Sequence, residues 1–147
     1  MPVNFQLTVD CADPDLLARF WAAALDYVLA PPPEGHESWD AFYRSVGVPE
    51  DELGGGHDRI VDPRGEGPML WFQVVPETKQ VKNRFHLDVN ASGGRSHQLD
   101  VRRERIDAAV ARLVDLGATR VRTSFDDEAD HYAVAMLDPE GNEFDVF

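Results

Sequence analysis

One cysteine, Cys11, stands in 147 residues. With no intrachain partner it excludes a disulfide scaffold and a cysteine-based zinc site. Long apolar runs are missing as well: no stretch approaches the ~18 consecutive apolar residues that a membrane-spanning helix needs. Met1 to Asp10 lacks a basic start followed by a long apolar run, the pattern of a secretory signal. Positive charge is scarce, 14 Lys and Arg against 27 Asp and Glu, for a formal net charge of −13. Such a chain repels phosphate backbones, which argues against nucleic acid as a partner. Gly54-Gly55-Gly56 is not followed by the Lys-Ser or Lys-Thr of a phosphate loop. Neither Cys11 nor any serine sits in a nucleophile-triad signature, and no catalytic residue is identified. These absences lead to the expectation of a reduced, cytoplasmic protein without membrane or nucleic-acid partners.

What is present is enough apolar sequence, 43% of residues, to build a core. Phe5 to Asp10 alternates apolar and polar residues and predicts a strand with two unlike faces. Asp13-Pro14 is a helix-start signal, an N-cap carboxylate followed by proline in the first turn. The helix is expected to run to about Leu25, with Leu16, Leu17, Phe20, Trp21, Ala24 and Leu25 on its apolar face. A short strand at Tyr27 to Leu29 follows. After the Pro31-Pro32-Pro33 break comes a short helix at Trp39 to Arg44. A hairpin is expected from Arg59-Ile60-Val61, through a turn at Asp62-Pro63-Arg64-Gly65, to a strand from Met69 to Val75.

The second half starts over. Phe85 to Asn90 alternates again, and a helix from about Val101 to Leu116 carries Ile106, Val110, Leu113 and Leu116, with Gly117 as its C-terminal stop. Strands at Thr119 to Arg122, Tyr132 to Leu137 and Glu143 to Phe147 complete it. Two signatures recur in the same order. Phe5-Gln6-Leu7-Thr8-Val9-Asp10 matches Phe85-His86-Leu87-Asp88-Val89-Asn90, and Val61-Asp62-Pro63-Arg64-Gly65 matches Leu137-Asp138-Pro139-Glu140-Gly141. The period is too long for a solenoid. It predicts an α+β fold of two tandem βαβββ modules within one domain, about 1–78 and about 79–147. On each opening strand one face is apolar. The other carries Gln6, Thr8 and Asp10, or Arg84, His86, Asp88 and Asn90, and polar groups so placed need partners or water.

The Asp13-Pro14 entry with Phe20-Trp21, the Lys82 to Asp88 segment, Leu116-Gly117-Ala118 and the Asp138 to Phe144 segment together resemble the glyoxalase/bleomycin-resistance (vicinal oxygen chelate) superfamily, and within it the glyoxalase-like domain proteins. The resemblance implies two βαβββ modules whose curved mixed sheet surrounds a cleft, often in homodimers. It implies one divalent metal with ligands in the first and last strands of each module, which here match Gln6, His86 and Asp145. The fourth position falls near Met69 or Trp71, neither a good ligand. Gln73 shares that face. Oxygen and imidazole donors suit Zn²⁺, Mn²⁺, Fe²⁺, Co²⁺ or Ni²⁺.

Trp71 and Gln73 face inward as candidate substrate contacts. Lys79, Lys82 and Arg84 form a small basic cluster, from which Arg84 is the candidate to meet an anionic substrate. His36, His57, His97 and His131 fall in loops or at loop edges without metal-ligand spacing. The segment from Glu34 to Gly56 is long enough to cover a site. Two functional readings stay open. One is a metal-dependent lyase or isomerase acting on a small oxygenated molecule. The other is a non-catalytic protein that sequesters a small molecule or an antibiotic, as in bleomycin resistance, for which the acidic charge and the tryptophans are suited.

Overall fold

The computed structural model describes residues 1–147. The chain divides into two compact units, Met1–Thr78 and Lys79–Phe147. Each holds one four-stranded mixed sheet and one long helix, the arrangement the repeat predicts. No helix is long and apolar enough to cross a membrane.

In the first unit β1 (Gln6–Cys11) leads into α1 (Pro14–Leu25), then β2 (Val28–Leu29), α2 (Trp39–Ser45), β3 (Arg59–Val61) and β4 (Met69–Val74). The strand order is β1-β4-β3-β2. β1 runs parallel to β4 over its full length, from Gln6 opposite Met69 to Cys11 opposite Val74. The Asp13 side chain caps α1 by accepting from the Leu16 N–H at 3.0 Å, and Pro14 occupies the first turn. Leu17, Phe20, Trp21 and Ala24 are buried, as the periodicity predicts, whereas Leu16 is largely exposed. They pack with Ile60, Leu70 and Phe72, the buried face of the sheet. Gln6, Thr8 and Asp10 lie on the opposite, exposed face of β1.

In the second unit β5 (Asp88–Val89), α3 (Leu99–Asp115), β6 (Thr119–Asp126), β7 (His131–Leu137) and β8 (Glu143–Val146) form the order β5-β8-β7-β6. Ile106, Val110 and Leu113 of α3 are buried, as are Val134, Met136, Phe144 and Val146. Gly117 follows α3 at φ +115°, a backbone angle open to glycine, and stops the helix as expected.

One expectation is corrected. The opening strand of the second module spans Asp88–Val89, not Phe85 to Asn90. Its ladder with β8 begins only where the Asp145 N–H donates to the Leu87 carbonyl. Upstream, the Glu143 carboxylate accepts from the Asn83 N–H at 2.9 Å and pairs with Lys79 at 3.0 Å. That carboxylate clamps the incoming chain in place of a backbone ladder, and Phe85 is left 90% exposed. The alternation of residues 85–90 is real but has no partner strand along its first half.

The repeated Asp-Pro-x-Gly motif has a structural cause. The Asp62 carboxylate accepts from the backbone N–H groups of Arg64, Glu66 and Gly67, and Asp138 accepts from Glu140 and Asn142. Gly65 and Gly141 close the turns at φ +71° and +85°. Each aspartate therefore replaces the backbone partners its turn lacks and launches the last strand of its module.

Candidate functional site

The register of the second sheet sets the site. β5 and β8 are parallel, and Asp88 lies directly opposite Asp145. Paired positions share a face, so two carboxylates stand side by side on the face away from α3. His86, two residues before Asp88, brings its ring to the same place: Nδ1 lies 2.8 Å from Asp88 Oδ1. One ligand atom from each of His86, Asp88 and Asp145 lies within 4.8 Å of the others. Asp145 is partly buried, while the His86 and Asp88 side chains are 34% and 53% exposed.

A divalent cation held at about 2.1 Å from each donor requires donors roughly 3–4 Å apart. A small closing motion of the exposed His86 and Asp88 side chains toward Asp145 would meet that requirement. The donor set, one imidazole and two carboxylates with room for solvent or substrate, fits a catalytic-type divalent site. His86 Nδ1 and Asp88 Oδ1 face each other, so a cation shared by the two residues would take the place of that hydrogen bond.

Beside this group lies a cavity of about 290 Å³. Asp88 and Asp145 form part of its wall, and Ser92, Gly94, Arg95, Arg102, His131, Ala133 and Phe147 contribute to the remainder. Arg102 is 5% exposed. Its guanidinium donates to the carbonyls of His97 and Asp130 and pairs with the Asp130 carboxylate.

The sequence-derived candidates fall in both units. His86 and Asp145 come together. Asp88 joins them; it was legible as the next residue on the polar face of the strand but not singled out as a ligand. His131, expected at a loop edge, opens β7 and lines the cavity, with Nε2 3.1 Å from Ser124 Oγ. Gln6 lies exposed on β1 of the first unit, its side-chain amide 3.4 Å from Thr8 Oγ1. Gln73 is exposed on β4. Arg84 is exposed ahead of β5. Trp71 is half-buried, and its indole N–H donates to Asp58 at 3.2 Å.

Trp71 belongs to the covered part of the first sheet's face away from α1. Arg59, opposite it in register, lays its guanidinium 4.6 Å from the Trp39 ring centroid and 5.3 Å from that of Trp71. Tyr43 Oη accepts from Arg59 at 2.6 Å and donates to Asp58 at 3.2 Å. Trp39 and Tyr43 come from α2, in the segment expected to cover a site. Burial pushes the Tyr43 phenol up, with the Arg59 hydrogen bond opposing it.

Solved structures with this fold include proteins that share little sequence with the chain. A glyoxalase/bleomycin resistance protein/dioxygenase family enzyme from Burkholderia phytofirmans PsJN is 15% identical, with TM-score 0.59 over 96% of this chain and 94% of that one. A mutant of the fosfomycin resistance protein FosX from Listeria monocytogenes, solved with Mn(II) and 1S,2S-dihydroxypropylphosphonic acid, is 11% identical, with TM-score 0.59 over 99% and 90%. A possible glyoxalase from Bacillus cereus is 14% identical, with TM-score 0.57 over 100% and 99%. No curated protein matches the chain. The family model described as Glyoxalase-like domain matches residues 6–147, and the chain therefore belongs to the glyoxalase-like domain family.

Proposed function

We propose that His86, Asp88 and Asp145 hold one divalent cation beside the cavity of the second module, and that the protein acts there on a small oxygenated molecule as a lyase or isomerase. The observation that carries this reading is the cross-strand pair of carboxylates with an imidazole hydrogen-bonded to one of them. Like charges placed opposite one another on adjacent strands destabilise a sheet. A cation relieves that cost, and a fold with no use for it has little reason to keep it. A bound cation of this kind supplies Lewis acidity toward two adjacent substrate oxygens. The cavity of about 290 Å³ limits the substrate to a small molecule. The FosX structure with Mn(II) supports the choice of cation type, and Zn²⁺, Fe²⁺, Co²⁺ and Ni²⁺ suit the same donors. Gln6 of the first module is a further candidate ligand. Trp71, Gln73 and Arg84 are candidate substrate contacts. A cytoplasmic homodimer completes the reading.

The test is thermal unfolding of EDTA-treated protein with and without Mn²⁺, Co²⁺, Ni²⁺ or Zn²⁺. A ligand that binds only the folded state raises stability by mass action. The expected result is a metal-specific rise in Tm that His86→Ala removes without loss of the fold. No rise with any of the four ions would overturn the metal site. Turnover of vicinal diols, α-keto compounds and epoxides by the metal-loaded protein then tests the activity. The formal net charge of −13 favours a second reading, non-catalytic capture of a cationic small molecule, and binding of such a molecule without product would establish it.

A further inference from the structure

The cavity beside the carboxylates is not uniformly acidic. Asp88 and Asp145 contribute two negative charges to its wall, and Arg95 and Arg102 contribute two positive ones. His131 lines it as well. The two arginines are not equivalent. Arg102 is 5% exposed and fixed by two carbonyls and the Asp130 carboxylate. Arg95 is 69% exposed in its side chain, and its nearest acid, Asp130 Oδ2, is 3.9 Å away. One carboxylate thus faces two guanidiniums, which leaves one positive charge uncompensated. Arg102 holds Asp130, and Arg95 retains donors for a ligand.

We infer that the Arg95 end of this cavity is an oxyanion subsite, so that the molecule bound here is a small acid whose carboxylate or phosphonate group meets Arg95 while its other oxygens face Asp88 and Asp145. This deepens the proposed function and rests on its placement of the substrate in the same cavity. The charge balance is consistent with it. Counting side chains, a divalent cation would cancel Asp88 and Asp145 and Asp130 cancels one arginine, which leaves one positive charge at the Arg95 end for an anionic group to neutralise. The guanidinium fork matches the two oxygens of a carboxylate or phosphonate. Ser92 and Gly94 also line the pocket, and the Ser92 hydroxyl accepts from the Gly94 N–H at 3.1 Å. That bond holds the loop in which Arg95 sits.

The test keeps metal out of the measurement. In the double variant Asp88→Asn, Asp145→Asn the acidic wall is neutral and the proposed metal ligands are gone. Methylphosphonate and acetate are titrated into this protein in EDTA, with backbone amide shifts as the readout. The expected result is saturable shifts confined to Gly94, Arg95, His131 and Ala133, with one or both probes. Adding Arg95→Ala should weaken binding by about tenfold, the size expected for losing a charged hydrogen-bond donor. Arg95 is exposed, so the amide spectrum should otherwise persist. Absence of saturable shifts with both probes overturns the subsite, and so do shifts unchanged by Arg95→Ala. The metal reading is tested separately on the unaltered protein by its Mn²⁺-dependent Tm. Failure of one therefore does not pass for failure of the other.

Discussion

The two modules spend the same sheet face differently. In the first, the part of the face away from α1 around β3 and the start of β4 is covered by the chain itself, while Gln6, Thr8, Asp10 and Gln73 stay exposed: Trp39 and Tyr43 from α2 close over Arg59, Asp58 and Trp71, and every polar head among the last four finds a partner within that group. In the second, the corresponding face carries Asp88 and Asp145 side by side with an open cavity next to them. The duplicated framework is retained in both, down to the Asp62 and Asp138 turns. The aromatic residues of the first module are thus engaged with one another and with Arg59, whereas the two acids of the second face each other beside the cavity.

The largest expected effect tests the packed face. Trp71→Ala removes a half-buried indole, its hydrogen bond to Asp58 and one of the two rings flanking Arg59. Deleting a buried large aromatic costs about 3–5 kcal/mol, and the partial exposure of Trp71 puts it near the low end, about 3 kcal/mol. Urea unfolding at equilibrium should show this loss with metal affinity intact. Asp145→Ala should do the reverse, costing little stability in EDTA and abolishing the metal-dependent rise in Tm. A Trp71 variant that unfolds like the unaltered protein but loses ligand binding would place the site contact in the first module and break the comparison.

Local signals carried most of the framework. Asp13-Pro14, Gly117 and the two Asp-Pro-x-Gly turns act within a few residues of themselves, so each fixed an element boundary without knowledge of the rest of the fold. The alternation of residues 85–90 misled because a strand also needs a neighbour, and Glu143 instead binds the chain upstream of Asp88. His86 and Asp145 were visible through motif position. Asp88 as their companion depends on the parallel register with β8, a nonlocal property. Arg102 and His131 were not visible as cavity residues at all. One lies on a helix and the other beside a turn, and only the packing of α3 against β7 brings both to the same wall.

A smaller effect concerns the clamp that shortens the second module's opening strand. The Asn83 N–H, with Lys79 beside it, holds the Glu143 carboxyl down at about 2 against an ordinary value of 4.5. A depressed carboxylate contributes stability that is present above its unfolded pKa and is lost as the pH falls through the folded one. The clamp should therefore be at full strength above about pH 4.5 and fade toward pH 2. The Glu143 side chain is 29% exposed, so solvent screening keeps the contribution on the order of 1 kcal/mol. Glu143→Gln should flatten the stability–pH curve in that window. The first module has no such clamp on β1, whose whole length pairs with β4.

The smallest effect isolates the carboxylate pair itself. Asp88→Asn keeps an oxygen that accepts from His86 and removes one of two like charges opposite each other in register. Without metal, that relief should stabilise the protein by about 0.5 kcal/mol, within the range for cross-strand charge pairs. The gain should shrink as salt rises, because both groups reach solvent. With Mn²⁺ present the sign should invert, since the same substitution removes a ligand charge and weakens the mass-action term. A structural aspartate would lose stability in both conditions. Inversion of the sign on adding metal is therefore the signature that distinguishes a face kept for binding from one kept for packing.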